Sequence, residues 1–180
     1  RDGKPRRASL SEGARRNASG VAMTKGGPFV LEETLTAHLG DAARLHGALF
    51  ERPWSRAALA DLLAVPGTDG AAVLDAACGS RFAGFVLFRN AGDFVEILTV
   101  AVVPEMRRQG LGALLMRHAI GKARESGAEK LLLEVQDGNV SAIRLYEQLG
   151  MKAFDRRRNY YKSGNGSHAD AIMMQLLFDE

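Results

Sequence analysis

Cysteine is almost absent from this chain of 180 residues. Cys78 is the only one, which excludes an intramolecular disulfide and any multi-cysteine metal site. It lies in AVLDAACGSRF, where an apolar run meets a Gly-Ser turn, and no histidine is near it in sequence to activate a thiolate. A small hydrophobe at a strand end is the expected reading. The four histidines, His38, His46, His118 and His168, have no metal-ligand spacing with one another or with carboxylates, so no metal is expected. No stretch approaches the roughly 18 consecutive apolar residues of a membrane span, and no apolar segment of signal-peptide length opens the chain. A soluble cytoplasmic protein is expected, with no membrane partner. A G-x-G-x-x-G fingerprint and a Gly-Lys-Ser/Thr phosphate loop are both missing, which argues against the common dinucleotide and nucleoside-triphosphate sites.

Acidic charge is scarce only at one end. Residues 1–28 carry seven Lys/Arg against two acids, so the net charge of +3 resides there and the rest of the chain is close to neutral. The segment is rich in Gly, Ser and Arg and poor in large apolar residues, a composition that cannot offset its ordering entropy. Residues 1–28 are therefore expected to be a disordered basic segment, and residues 29–180 one folded domain. No aromatics are interleaved with the basic residues, so a nucleic-acid arm is not expected.

The hydrophobic content of 46% is enough for one substantial core, and its periodicity alternates between strand and helix. A short strand near Phe29–Glu33 precedes helices over Asp41–Phe50 and from Ser55 to the Pro66-Gly67 break. Ala71–Ala77, Arg81–Arg89 and Phe94–Val103 read as three strands of an antiparallel meander. A helix follows from about Gly110 to Ser126, then the apolar run Leu131–Gln136, expected as a central strand covered on both faces. A helix over Asn139–Leu149 and strands near Lys152–Tyr160 and Ala169–Phe178 close the chain.

Between the third strand and the long helix stands VAVVPEMRRQGLGALL. A strand that passes through glycines into a helix presents free backbone N–H groups and the positive end of the helix dipole, which suits a phosphate-bearing ligand. Arg107-x-x-Gly110-x-Gly112 resembles the acyl-coenzyme A pyrophosphate loop of the GNAT N-acetyltransferase superfamily. Further blocks resemble its ribosomal-protein-alanine N-acetyltransferase branch: FERPWS, EILTVAV, LLLEVQDGNVSAIRLYEQLGM, RRNYY and DAIMM, in order from Phe50 to Met174. The resemblance implies an α/β domain of the α+β kind, the GNAT fold. Its mixed, mainly antiparallel sheet of six or seven strands would be flanked by helices and splayed where the coenzyme enters. It implies acetyl-CoA as cosubstrate and a protein N-terminus as acceptor, an alanine-initiated small-subunit ribosomal protein, with the enzyme acting as a monomer.

The same resemblance assigns Arg108, Gln109, Gly110, Leu111, Gly112 and Ala113 to the pyrophosphate, and the main chain of Val100, Ala101 and Val102 to the pantetheine arm. Gln109 stands where the branch often has a further basic residue. Glu134 interrupts an apolar strand, and desolvation there suits it to accept a proton from the amine; an ion pair with a basic side chain is the alternative. Glu96 is the reserve base. Tyr146 is the expected acid for the departing thiolate, and Asn139, seven residues earlier and two turns away, shares its helix face; the resemblance implies that this face borders the coenzyme, with Asn139 bonding the donor and Tyr146 reaching its sulfur. A helix cap for Asn139 and a half-buried packing role for Tyr146 are their alternatives. Arg52, Trp54, Tyr160 and Tyr161 resemble peptide-groove elements, and Arg156–Arg158 read mainly as a charged guard on an edge strand.

Overall fold

The computed structural model describes residues 21–24, 27–162 and 168–178. These form β1 (Val21–Thr24), β2 (Gly27–Glu32), α1 (Leu39–Leu49), α2 (Arg56–Ala64), β3 (Thr68–Asp75), β4 (Arg81–Asn90), β5 (Phe94–Val102), α3 (Leu111–Glu125), β6 (Lys130–Gln136), α4 (Val140–Gln148), β7 (Lys152–Lys162) and β8 (His168–Leu177). One sheet runs in the order β1-β2-β3-β4-β5-β6-β8-β7. The β5–β6 pair is parallel and the other ladders among the described residues are antiparallel, with α3 making the crossover a parallel pair requires.

Local chemistry sets the helix ends. Ser55 caps α2 by accepting the Ala58 N–H at 3.1 Å, and Asn139 caps α4 by accepting the Ala142 N–H at 3.3 Å. Gly127 and Gly150 follow α3 and α4 at φ of +75° and +89°, a left-handed turn that only glycine adopts without penalty.

Sheet pairing begins ahead of residue 29, where the folded domain was expected to start. Val21–Thr24 pair with Gly27–Val30 and add a strand to the sheet edge, so the sheet has eight strands rather than six or seven. The short Val-Ala-Met-Thr run carries enough β-forming character for a strand, but it is diluted in the composition of residues 1–28. Residues 1–20 of that segment lie outside the described residues.

The sheet separates two cores. Leu111, Leu115, Met116 and Ala119 of α3 and Tyr146 of α4 pack on Val86, Phe88, Val95, Ile97, Leu131, Leu133 and Val135. Leu39, Leu45 and Leu59 of α1 and α2, with Trp54 beside them, pack on Phe85, Leu87 and Ala101 on the other face. The expectation that β6 is covered on both faces is wrong: Leu131, Leu133 and Val135 are buried under α3 and α4, whereas Leu132 and Glu134 on the opposite face are only partly covered. Truncating a fully buried leucine such as Leu115 to alanine removes about 2–5 kcal/mol of stability.

Candidate functional site

The site begins with a ladder that stops early. β5 pairs with β6 only from Phe94↔Lys130 to Ile97↔Leu133, although both strands continue. On its other side β5 stays paired with β4 as far as Gly84↔Val102, with an extra residue, Leu98, between the Phe88↔Ile97 and Leu87↔Thr99 pairs. A bulge bends the strand that carries it, so β5 swings away from β6 where the bulge lies. A wedge opens between the two strands.

Hydrogen-bond alternation decides which residues face it. The Val103 N–H donates to the Ala83 carbonyl at 2.9 Å, so in this antiparallel ladder Ala101 turns its polar groups to β4, and Val100 and Val102 turn theirs to the wedge. The Ala101 oxygen would lie 2.5 Å from a Cβ on Gly84 of β4, in agreement with that direction. Of the three residues expected to offer main-chain groups, Val100 and Val102 turn theirs to the wedge and Ala101 does not, because adjacent strand residues point opposite ways. The Val102 carbonyl also accepts the Arg107 Nε–H at 3.3 Å, which ties the following loop to the strand end.

That loop delivers the chain into α3 through a short 3₁₀ turn, Pro104–Met106, anchored by buried Met106. Arg108 has φ of +62° and Gly110 φ of +86°, two left-handed residues that curl the loop around the helix start. Gly110 is the N-cap and offers no side-chain acceptor, so the N–H groups of Leu111, Gly112 and Ala113 have neither an intrahelical partner nor a side-chain cap. Those donors suit an anion at the mouth of the wedge. Arg108 is exposed beside them and Gln109 partly so. Gly112 has a different neighbour: a Cβ there would meet Leu145 Cδ2 of α4 at 3.0 Å, so its lack of a side chain lets α3 and α4 approach.

Glu134 and Tyr146 lie on opposite faces of the sheet. Tyr146 is 6% exposed in the α3/α4 core, and burial pushes its phenol up to about 12. Glu134 lies on the α1/α2 face of β6, with 22% of its side chain exposed and its carboxylate 3.4 Å from Nη1 of Arg157. The ion pair weighed as an alternative role is therefore present. Asn139 is exposed and caps α4, and the Ser141 hydroxyl donates to its Oδ1 at 3.3 Å. Its expected alternative role is thus also realised. Glu96 is an ion-pair partner of Arg89 at 3.5 Å, on the paired part of β5 below the wedge.

β7 lies at the sheet edge, as the arginine run suggested, but the arginines are tethered. Arg156 bonds both Asp137 and Asp170, and Arg157 stacks its guanidinium 5.4 Å from the Tyr160 ring centre. Asp170 accepts the Asn159 N–H, which together with Arg156 holds its carboxyl below the ordinary range. The side chain of Tyr161 lies outside the described residues. On the other side of the wedge Trp54 packs against the core that includes Leu98 and Ala101 of β5. Sequence reasoning missed two residues here. Thr99 is buried with its hydroxyl unpartnered among the described residues, and its one signal was a polar side chain inside the apolar run ILTVAVV. The other, His46, is buried between Phe50 and Trp54. Among the described residues no group of three or more His, Cys, Asp or Glu is arranged around a metal position.

A strand splayed by a bulge, beside a helix whose first N–H groups are uncapped, is matched by the profile of the acetyltransferase (GNAT) family over residues 39–151. The chain belongs to the GNAT acetyltransferase family. Within the family it is 41% identical over 96 residues to the ribosomal protein bS18-alanine N-acetyltransferase of Salmonella typhimurium, an alignment covering 53% of this chain and 64% of that protein. The chain thus spans somewhat less than two thirds of the length of that curated relative. The crystal structure of the Escherichia coli ribosomal-protein-S18-alanine N-acetyltransferase superposes with a TM-score of 0.75 at 30% identity, over 84% of this chain and 95% of the other. Arabidopsis thaliana NAA60, solved with acetyl-CoA, shares the fold with a TM-score of 0.73 at 18% identity, over 83% and 98% of the two chains. No helix among the described residues is long and apolar enough to cross a membrane.

Proposed function

We propose that this GNAT protein transfers the acetyl group of acetyl-CoA to the α-amino group of a protein N-terminus, specifically the N-terminal alanine of a small-subunit ribosomal protein. The observation that carries the reading is the wedge, where two main-chain edges at Val100 and Val102 lead to uncapped N–H groups at α3. The residues fit the cosubstrate: an extended amide-bearing arm can hydrogen-bond there as an added strand would, and phosphates can meet the α3 donors with Arg108 beside them. The similarity to bS18-alanine N-acetyltransferases supports the choice of acceptor.

Acetyl-CoA supplies an activated acetyl thioester. Because α3 and Tyr146 lie on one face of the sheet and Glu134 and Trp54 on the other, the coenzyme occupies the α3/α4 side and the amine arrives from the α1/α2 side. An α-amino group has an ordinary pKa of about 7.7–8.0, so a modest base suffices. Glu134 accepts the proton, directly or through a water, as the amine nitrogen bonds to the carbonyl carbon. The Val100 and Val102 edge supplies an N–H to polarise the carbonyl oxygen. As the carbon–sulfur bond breaks and its electron pair moves to sulfur, Tyr146 donates its proton there. Asn139 holds α4 at the angle that presents Tyr146, and its amide is placed for the donor arm. The protein acts as a monomer in the cytoplasm in this reading.

The test is thiol release from acetyl-CoA with an alanine-initiated peptide, compared with an N-blocked lysine peptide. Release with the first alone supports the proposal. Release with the second alone transfers the activity to lysine, and ligand-induced stabilisation without thiol in either case leaves only a coenzyme binder. Mass spectrometry of protein N-termini in cells with and without the gene then identifies the acceptor.

A further inference from the structure

We propose that His46 is a positioning residue for the acceptor, acting by clamping the loop between α1 and α2 against the wedge. The inference rests on the proposed acceptor side of the cleft. His46 lies in the last turn of α1 and is 3% exposed. Its backbone oxygen accepts the Phe50 N–H at 3.0 Å, and its Nδ1 accepts the Trp54 N–H, also at 3.0 Å. One residue thereby ties both ends of the Phe50–Trp54 segment. Its ring is also the middle layer of a stack, with centroids 4.2 Å from Phe50 and 4.7 Å from Trp54 and interplanar angles of 15° and 11°.

What the clamp holds is the wall of the cleft. Glu51, Arg52 and Pro53 project from the segment into solvent, while Trp54 turns inward to the core that contains Leu98 and Ala101. Leu98 is the bulge residue that opens β5 from β6, so the loop rests on the strand segment whose far edge is free for ligand. Glu134 lies on that same face. A peptide whose amine reaches Glu134 from the α1/α2 side therefore passes the Phe50–Trp54 wall. The chemistry of the clamp is specific. Because Nδ1 accepts a hydrogen bond, the neutral ring carries its proton on Nε2, and no aliphatic residue reproduces the acceptor and the stack together.

Trp54 is the only tryptophan in the chain, so its fluorescence reports this loop alone. The full chain is assayed with acetyl-CoA and an alanine-initiated peptide, alongside His46→Ala, His46→Phe and His46→Asn. The phenylalanine variant keeps the stack and loses the acceptor, and the asparagine variant does the reverse. Expected is a rise of about fivefold or more in peptide KM for His46→Ala and His46→Phe, and a smaller rise for His46→Asn. The kcat and the KM for acetyl-CoA stay within about twofold, and Trp54 emission becomes more accessible to quencher. Peptide KM unchanged in both His46→Ala and His46→Phe overturns the inference, as does a loss of kcat that matches the rise in KM. Titrating wild type with peptide and seeing no change in Trp54 emission overturns it without any variant. Absence of thiol release by wild type with the alanine peptide counts against the proposed substrate instead, and the same KM comparison is then made with the acceptor that turns over.

Discussion

Glu134 and Tyr146 operate under different dielectric conditions, and their variants separate accordingly. Glu134→Gln and Tyr146→Phe preserve shape and delete the proton transfer proposed for each, so each is expected to lower kcat by more than tenfold with coenzyme affinity nearly unchanged, in line with typical acid–base contributions of about 10²–10⁴. Steady-state assays beside calorimetry of acetyl-CoA binding check this. Raising pH partly rescues Glu134→Gln, because solvent then deprotonates more of the amine, and does not rescue Tyr146→Phe. Burial pushes the Tyr146 phenol to about 12, so it stays protonated throughout the working range and contributes no basic limb to the rate profile. Its link to stability has a definite sign. The folded value is raised, so the contribution is complete below the ordinary tyrosine value of about 10 and is lost as pH rises from there through about 12. Denaturant titrations should find Tyr146→Phe less sensitive to alkali over that window. His46 has the opposite sense: desolvation lowers it, so its contribution is present above the ordinary histidine value of about 6.5 and fades as pH falls. Acid denaturation followed by Trp54 fluorescence is expected to be shallower in His46→Phe than in wild type.

At the scale of elements, the two glycines of the loop serve different neighbours. Gly110 sets the entry to α3 from a left-handed conformation, and a Cβ there would meet open space. Gly110→Val is therefore expected to act through the backbone. It strains or rearranges the uncapped helix start and weakens coenzyme affinity, with a stability loss of about 1–3 kcal/mol from the strain. Gly112→Val acts through packing, by driving Leu145 and α4 away from α3. Pairing it with Leu145→Ala should recover much of the lost affinity, whereas the same partner change should not help Gly110→Val; calorimetry of the four proteins decides. Strand and helix types were legible along most of the chain, because Ser55 and Asn139 caps, glycine stops and apolar periodicity all lie within a few residues of what they control. The loop was legible too, since Arg107-x-x-Gly110-x-Gly112 is contiguous. The division between Val100, Ala101 and Val102 was not, because it depends on how β4 registers against β5. The role of His46 was hidden for a related reason: its partners, Phe50 and Trp54, acquire meaning only once the loop has folded back on the helix end.

At the scale of the whole molecule the sheet has a seam between two strands that part early. Residues 1–20 precede every described element, and a chain lacking them is expected to keep its kcat/KM on a short peptide within about twofold. Removing residues 1–28 also deletes β1 and part of β2, and a lower melting temperature is expected for that deletion alone, read by thermal unfolding of both proteins. The seam itself lies between β5 and β6, where four residue pairs join a five-stranded half of the sheet to a three-stranded half. Acetyl-CoA bound along Val100 and Val102 would fasten the two halves and act as thermodynamic cement. Bound at about a hundred times its dissociation constant, it adds about 2.7 kcal/mol to the folded state by mass action. Amide deuterium uptake would localise that gain: exchange at the Val100 and Val102 amides, which face the wedge, is expected to slow on saturation. The cell's coenzyme pool would then set not only the rate of this protein but how long it survives unfolding and proteolysis.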